Sequence, residues 1–530
     1  SPHEMQLIKY LNIGLLTIGL WILCAIENEA YRILCIFPFQ SRSHQLMFDG
    51  IMKGLVRMGH QVDVVTVYPF KTPVPNYKVI VNLEGKTSGF INRFNITYAT
   101  DIGSDTLPWI ALPFGNGLCE YLGLPEIQNI IRNPPQDPPY DLVMTEAFGA
   151  NCFIALGHVL KVPVVLASTT IPLPWLIESL GQPPFSAFMS GYFTAYVHPM
   201  SFLIRVINTI QNHISDIRFR RYTDRVQDAQ IRKYIDPNIP PLRELEKNVT
   251  LALVNTWHSL HGVQPITPGL VEIGGIHVQE HYVPMSKELE KWMNDSTAGV
   301  IYFTLGSMVN IETFPEPTMK AIYSVFRRIA PVRVLMKVAN DSALLPGLPD
   351  NIKTSSWIPQ VALLAHKNTK IFITHGGLMS TLEALTFGVP LIGIPLFGDQ
   401  HNNIATYKSH GIALQLDLYN ITEKSLFWAV NEILNNPKYS ETAKYQSKKF
   451  LDRPMSAMDT TIFWVEYAIR HGPGALRSPI VDLPWWQVEL IDVYGFLALC
   501  LLAIVYSILR LIKFALSEEP TNPRKRVKRD

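Results

Sequence analysis

Two separate series of short β-branched runs, each alternating with helical periodicity, constrain this chain more than any other feature. In the first, Ile33-Leu34-Cys35-Ile36-Phe37 reads as a buried strand and residues 40–43 as a polar turn. An amphipathic helix then runs to Met58, is stopped by Gly59, and residues 62–67 give the next strand. Val143-Met144 and residues 162–166 continue the series. A second series starts near Gly299, with strands expected at Val300–Thr304, Arg333–Lys337, 370–374 and 391–394. Apolar strands separated by helices belong to parallel sheets covered on both faces, so the fold class is α/β. Two such halves, at residues 28–275 and 276–484 with residues 267–295 as the linker, put a cleft between them.

The two ends of the chain are apolar. Met5 is taken as the initiator, and a basic start, an apolar run over residues 10–25 and renewed polarity at Glu27 describe a signal peptide over 5–27, the alternative being a retained anchor. Near the other end, residues 493–509 carry no charge and the apolar character continues to Phe514, which suits a transmembrane helix over 490–514. Trp485 and Trp486 precede it, where amphipathic rings favour the membrane interface. A basic tail over 515–530 follows, which the positive-inside bias places in the cytoplasm, making the chain a single-pass type I membrane protein. Sequons at Asn95, Asn248, Asn294, Asn340 and Asn420 fit exposure to the secretory lumen. The Arg526-x-Lys528 ending resembles a retrieval signal of the endoplasmic reticulum. A formal charge of +2 with 17% charged residues argues against a nucleic-acid partner. Cys24, Cys35, Cys119, Cys152 and Cys500 show no metal or disulfide spacing; one bridge is open to them, and buried free thiols are the expectation.

Residues 169–235 differ in character. The first part is rich in proline and aromatic residues; a helical stretch carrying Arg218, Arg220, Arg221 and Arg225 follows. Three readings stand: a wall of an apolar acceptor pocket, a face against the membrane, or ordinary packing with a solvated charged side.

Chemistry concentrates at strand-to-helix turns of the second half. Thr304-Leu305-Gly306-Ser307 ends one strand in a small turn whose N–H groups and Ser307 hydroxyl suit an anion. The strand before His375-Gly376-Gly377 leads into a helix bearing Ser380 and Glu383. A helix N-terminus with two glycines offers unpaired N–H groups to a diphosphate, and Glu383 suits two ribose hydroxyls. Trp357, beside Gln360, is placed to stack on a base, and Asp399-Gln400 to accept from sugar hydroxyls.

Trp357-Ile358-Pro359-Gln360, Leu364, His366, Phe372-Ile373-Thr374-His375-Gly376-Gly377, Ser380, Glu383, Gly388-Val389-Pro390, Asp399-Gln400 and Asn403 together resemble the signature of the UDP-glycosyltransferases, in particular their animal, membrane-bound branch. The likeness extends to the leader, the two halves and the anchor. It implies the GT-B architecture of two facing Rossmann-like domains, with acceptor-binding and donor-binding roles respectively. It also implies inversion at the anomeric carbon, a UDP-sugar as co-substrate rather than a cofactor, and no metal. The chain has no Asp-x-Asp pair of the kind that holds metal-bound nucleotide sugars.

The family's catalytic base falls on His44. A histidine at a helix N-terminus is pushed towards its neutral form, which suits taking a proton from a hydroxyl. The carboxylate that orients it, usually Asp, is matched by Glu146, one methylene longer. Asp141 is the fallback, and Asn151 would orient a ring without balancing its charge. Glucuronate-using relatives tend to carry Arg-Pro where this chain has Gln264-Pro265, so UDP-glucose is expected over UDP-glucuronate. The reading is a hexosyltransferase acting on a small lipophilic, hydroxylated acceptor in the endoplasmic reticulum, compatible with a homo-oligomer and with a part in detoxification. The alternative is a non-catalytic lipophile-binding protein that keeps the fold.

Overall fold

The computed structural model describes residues 30–86, 89–278 and 282–517. The expected leader and nearly all of the basic tail lie outside them. By its contacts the chain divides into a body ending at Arg477 and a separate unit from Ser478 onward.

Within the body, the first sheet has seven parallel strands: β1 (Arg32–Phe37), β2 (Gln61–Thr66), β3 (Tyr77–Asn82), β4 (Leu142–Glu146), β5 (Val164–Ser168), β6 (Val249–Val254) and β7 (Leu270–Glu272). Their order is β3-β2-β1-β4-β5-β6-β7. The second sheet has six, β8 (Val300–Thr304), β9 (Arg333–Lys337), β10 (Ile352–Ser355), β11 (Thr369–Thr374), β12 (Leu391–Gly393) and β13 (Ala413–Gln415). They are ordered β10-β9-β8-β11-β12-β13. Strand β1 is apolar from Ile33 to Phe37 because helices cover both faces of the sheet; Ile33, Leu34 and Cys35 are all fully buried. In each sheet the strand order reverses once, between β1 and β4 and between β8 and β11, and crevices at such reversals open at the strands' carboxyl ends.

Helix Arg42–Arg57 follows β1 and buries Met47, Phe48, Ile51, Met52 and Leu55. Their spacing of 3 to 4 residues gives the helix one apolar side. Past its end, Gly59 takes φ +92°, a left-handed stop.

The expected linker is shorter than its predicted span. Leu270–Glu272 is the last strand of the first sheet and Lys287–Asn294 is already a helix, so the crossing lies between Glu272 and Lys287. Two segments also trade places between the halves. Phe94, Ile96, Ala99 and Ile102 pack in the core of the second sheet. There Phe94 bridges Val309, and Lys337 Nζ donates to Asn92 Oδ1 at 2.5 Å. Conversely, helix Ala457–His471 returns to the first sheet, with Val465 and Ala468 buried beside Ile33 and Met47 and His60 Nε2 3.1 Å from Glu466 Oε1. An end of the second half at 484 therefore does not follow the packing.

The cysteines divide: one bridge forms where free thiols are expected, and Cys35 keeps the expected buried thiol. Cys119 and Cys152 form a disulfide, 33 residues apart in sequence. It ties the segment before β4 to the turn after it, a pairing that no short spacing in the sequence announces. Cys35 is free and buried, and burial pushes its thiol well above the usual range. Cys500 is free as well.

The unit after Arg477 contains helix Ile491–Ser517, 27 residues long and with no buried residue. It is long and apolar enough to cross a membrane.

Closing a loop of this length restricts the unfolded chain by roughly 3–4 kcal/mol on the chain-entropy account. The variant with both Cys119→Ser and Cys152→Ser is expected to lose up to that much stability in denaturant titration. A midpoint unchanged from wild type would contradict it.

Candidate active site

The second sheet's reversal is the donor-like half. Thr374 lies at the carboxyl end of β11, paired in register with Thr304 of β8. The turn His375-Gly376-Gly377 then opens helix Leu378–Thr386, with Gly377 as its N-cap. Backbone conformation dictates the glycines. Gly376 has φ +89°, and a Cβ there would stand 2.5 Å from Ile404 Cγ1. Gly306 has φ +84°, and a Cβ there would stand 2.6 Å from His375 Cε1. The two expected phosphate-facing turns therefore nest against each other, with Ser307 partly exposed at the next position. Ser380 is partly exposed in the helix's first turn.

Electrostatics here follow from burial. His375 is pushed down to about 4 mainly by desolvation and secondarily by the charge of Lys337. It is thus neutral near pH 7, able to donate from one nitrogen. Glu383 is fully enclosed and pushed up to about 7 by desolvation, against a hydrogen bond from Gln360. Gln360 Nε2 donates to Glu383 Oε2 at 2.6 Å, and Tyr302 Oη donates to Gln360 Oε1 at 3.0 Å. His277 Nε2 lies 3.6 Å from the other carboxylate oxygen and bonds Met379 O at 3.0 Å. Trp357, three residues before Gln360, is 55% exposed, leaving its ring open to stacking.

Asp399 and Gln400 follow β12. Gln400 Oε1 accepts from the backbone N–H of Leu396 at 2.8 Å and Phe397 at 3.1 Å. Its oxygen is therefore committed to the loop, and the amide N–H groups are what it has left to offer. That differs from the expected acceptor role. Asp399 Oδ2 and Asn403 Oδ1 are buried without a hydrogen-bond partner among the described residues. Burial pushes Asp399 up to about 6, against Asn403 and the charge of His44. Asn403 Nδ2 donates to Gly376 O at 3.0 Å, joining this loop to the glycine turn.

The first sheet's reversal supplies the other half. His44 sits in the first turn of helix Arg42–Arg57, after β1, and Glu146 ends the neighbouring β4. His44 Nδ1 is 2.5 Å from Glu146 Oε1 and 2.9 Å from Thr169 Oγ1. Since an ionised carboxylate only accepts, Nδ1 carries the proton and Nε2 is left as the basic nitrogen. The longer Glu reaches the ring. Phe39 and Phe148 meet the imidazole edge-on, at 4.8 and 5.4 Å between centroids. Together with Phe114, Leu118 and Phe153 they line a small apolar cavity beside Glu146. The aromatic wall continues through Trp109 to Phe397 of the second half.

The alternatives take other roles. Asp141 Oδ2 accepts from the N–H of Arg32 at 2.7 Å, at strand entry, and Asn151 donates to Glu246 at 2.7 Å. Gln264 donates to His261 O at 3.3 Å, outside this constellation. Thr169, His277 and Lys337 join the site without belonging to any motif in the sequence. Thr169 and Lys337 stand at or just beyond the carboxyl end of a strand, which was the available signal.

The family model described as "UDP-glucoronosyl and UDP-glucosyl transferase" matches residues 129–524. The chain belongs to the UDP-glycosyltransferase family. It is 34% identical to "UDP-glycosyltransferase UGT5" of Dactylopius coccus over 92% of each chain. It is 35% identical to "UDP-glucosyltransferase 2" of the same organism, over 91% of this chain and 93% of the relative. "UDP-glucuronosyltransferase" of Pleuronectes platessa is 31% identical over 73% and 82%. Among solved structures, a Phytolacca americana UGT2 complexed with UDP-2fluoro-glucose and pterostilbene matches with TM-score 0.56 and 15% identity, over 83% of this chain and all of that one. Such a likeness shows the GT-B fold. This UDP-glycosyltransferase therefore has the architecture its sequence implies.

A diol seated on Glu383 needs the ionised carboxylate, whereas the enclosed group is protonated below about pH 7. UDP binding is expected to tighten by roughly tenfold between pH 6 and 8, one pKa unit being tenfold. Because UDP itself titrates, the quantity to measure calorimetrically is the slope of wild type minus that of Glu383→Gln. Parallel slopes would remove Glu383 from ribose binding.

Proposed function

We propose that the enzyme transfers glucose from UDP-glucose to a hydroxyl of a small lipophilic acceptor, with inversion and without a metal. The observation that carries this reading is the His44–Glu146 contact at 2.5 Å, with Phe39 and Phe148 edge-on to the imidazole.

In this mechanism, the acceptor hydroxyl gives its proton to His44 Nε2 as its oxygen forms the bond to the anomeric carbon. The bond from that carbon to the β-phosphate oxygen breaks on the opposite side, and UDP leaves. The negative charge on the leaving group is met by the N–H groups of Gly376, Gly377 and the start of the following helix, with Ser307, His375 and Ser380 as further donors. Glu146 holds the Nδ1 proton in place and balances the imidazolium that forms. Trp357 stacks on the base, Gln360 and Glu383 bind the ribose region, and Asp399 with Gln400 holds the sugar. No step requires a metal or a resident cofactor.

Glucose is favoured by the relative named UDP-glucosyltransferase 2; Gln264, where glucuronate users tend to have Arg, lies away from the residues described above and does not itself argue for either sugar. Residence in the endoplasmic reticulum membrane, with the body in the lumen, is supported by three observations. The disulfide suits an oxidising compartment. The asparagines of all five sequons are exposed. Helix Ile491–Ser517 suits an anchor.

His44→Gln is expected to lower kcat by about 10²–10⁴, the usual worth of a general base. Its UDP affinity should stay unchanged, since the histidine lies in the other half. Glu146→Gln should fall in the same direction by less. Retained turnover in His44→Gln would sink the assigned chemistry, and equal kcat/KM for UDP-glucose and UDP-glucuronate would sink the donor assignment.

A further inference from the structure

Helix Phe202–Tyr234, 33 residues long, has its polarity reversed along its first half. In that half the one buried residue is the polar Asn208; the other buried residues, Phe219, Thr223, Gln227, Gln230 and Ile231, lie further along. The buried amides are satisfied by backbone: Asn208 Nδ2 donates to Ser186 O at 2.8 Å and Met189 O at 2.7 Å, and Gln227 Nε2 to Gly149 O at 2.8 Å. Facing outward instead are Leu203, Val206, Ile210, Ile214 and Ile217, each between 37% and 63% exposed. Their spacing of three and four residues aligns them on one strip about four turns long. One turn further along the same strip comes Arg221, followed by Arg225, both exposed.

A soluble helix buries such a strip, and a continuous exposed one of branched aliphatic residues marks an interaction surface. Its chemistry is that of an interfacial helix: aliphatic side chains for the acyl boundary, arginines for phosphate headgroups. The same chain carries a helix long and apolar enough to cross a bilayer. In a parallel pairing with a second copy, the arginines would meet their own counterparts, at an electrostatic cost. We propose that the outward face of helix Phe202–Tyr234 over residues 203–217 lies in the surface of a phospholipid bilayer, with the arginines beyond it at the headgroup phosphates. The body is then held to the membrane at a second place, besides the anchor. The inference takes the bilayer from the anchor reading, but its contact is separate from it.

The test uses the full chain with Cys24→Ser and Cys500→Ser, in which Cys35 is buried and Cys119 and Cys152 are bonded. Single cysteines at Leu203, Ile210, Ile217, Leu502 and the exposed Lys424 carry an environment-sensitive fluorophore. Nanodiscs of phosphatidylcholine and phosphatidylserine hold one copy each. Labels at 203, 210 and 217 should be quenched by acyl-chain nitroxides, as at 502, and shielded from iodide, whereas the label at 424 should respond to iodide alone. With Ile214→Asp added, lipid quenching at 210 should fall to the level of 424, with turnover of a water-soluble acceptor unchanged. Water-exposed labels at 203–217 alongside a lipid-quenched 502 would overturn the proposal while leaving the anchor intact. Water exposure at 502 would defeat the anchor reading instead. Protection at 210 only when discs hold several copies would also overturn it, in favour of self-association.

Discussion

Both sheets are parallel and covered by helices on each face, and this constraint decides where everything else can go. A strand such as Ile33-Leu34-Cys35-Ile36-Phe37 offers no place for a charge along its length. Apart from Asp63 of β2, which Arg32 and Tyr140 satisfy, the groups that carry the site's chemistry stand at the carboxyl ends, where backbone leaves the sheet and helix N-termini expose N–H groups. His44 and Glu146 occupy one such rim, and His375, Gly376 and Gly377 the other. Neither rim is a site of transfer alone; ring contacts run from Phe39, against His44, through Phe114 and Trp109 to Phe397 of the second half.

Facing rims require the two halves to be held in register, and the exchanged segments do this. The stretch with Phe94 and Ile102 fills the core under the second sheet, while Val465 and Ala468 fill that under the first. Each half thus completes its neighbour's apolar packing. Polar ties are added where backbone must approach closely: Gly398 N donates to Thr106 Oγ1 at 3.2 Å, and Asn402 Nδ2 to Thr194 O at 2.9 Å.

Stability is sacrificed locally at the site. Asp399 Oδ2, Asn403 Oδ1 and His277 Nδ1 are buried without partners among the described residues, each costing about 1–3 kcal/mol. Glu383 and Asp399 are carboxyls whose charged forms are penalised by burial. Such groups persist because the surrounding core fixes them, and a polyhydroxylated ligand would satisfy what the protein leaves open.

Much of this was legible in the sequence wherever it depended on local periodicity. Val300–Thr304 and Arg333–Lys337 are strands with the expected bounds, and the glycine turn after β11 is where the strand-to-helix switch placed it. Strands β7 and β13 are three-residue edge runs without the longer apolar stretch that announces β12; β3 and β10 are edge strands that admit lysines such as Lys78 and Lys353; and β6 (Val249–Val254) escapes a reading of the sequence because a short apolar run does not by itself distinguish a strand from a buried helical turn. The chain by itself determined the fold class and the donor motif, since strand, turn and helix lie within some thirty residues of one another. Only the tertiary structure decided the Cys119–Cys152 bond, the Thr169 contact with His44, the commitment of the Gln400 oxygen and the outward face of helix Phe202–Tyr234. Each depends on which distant segments pack together and which side of an element they leave uncovered, and sequence spacing does not encode that.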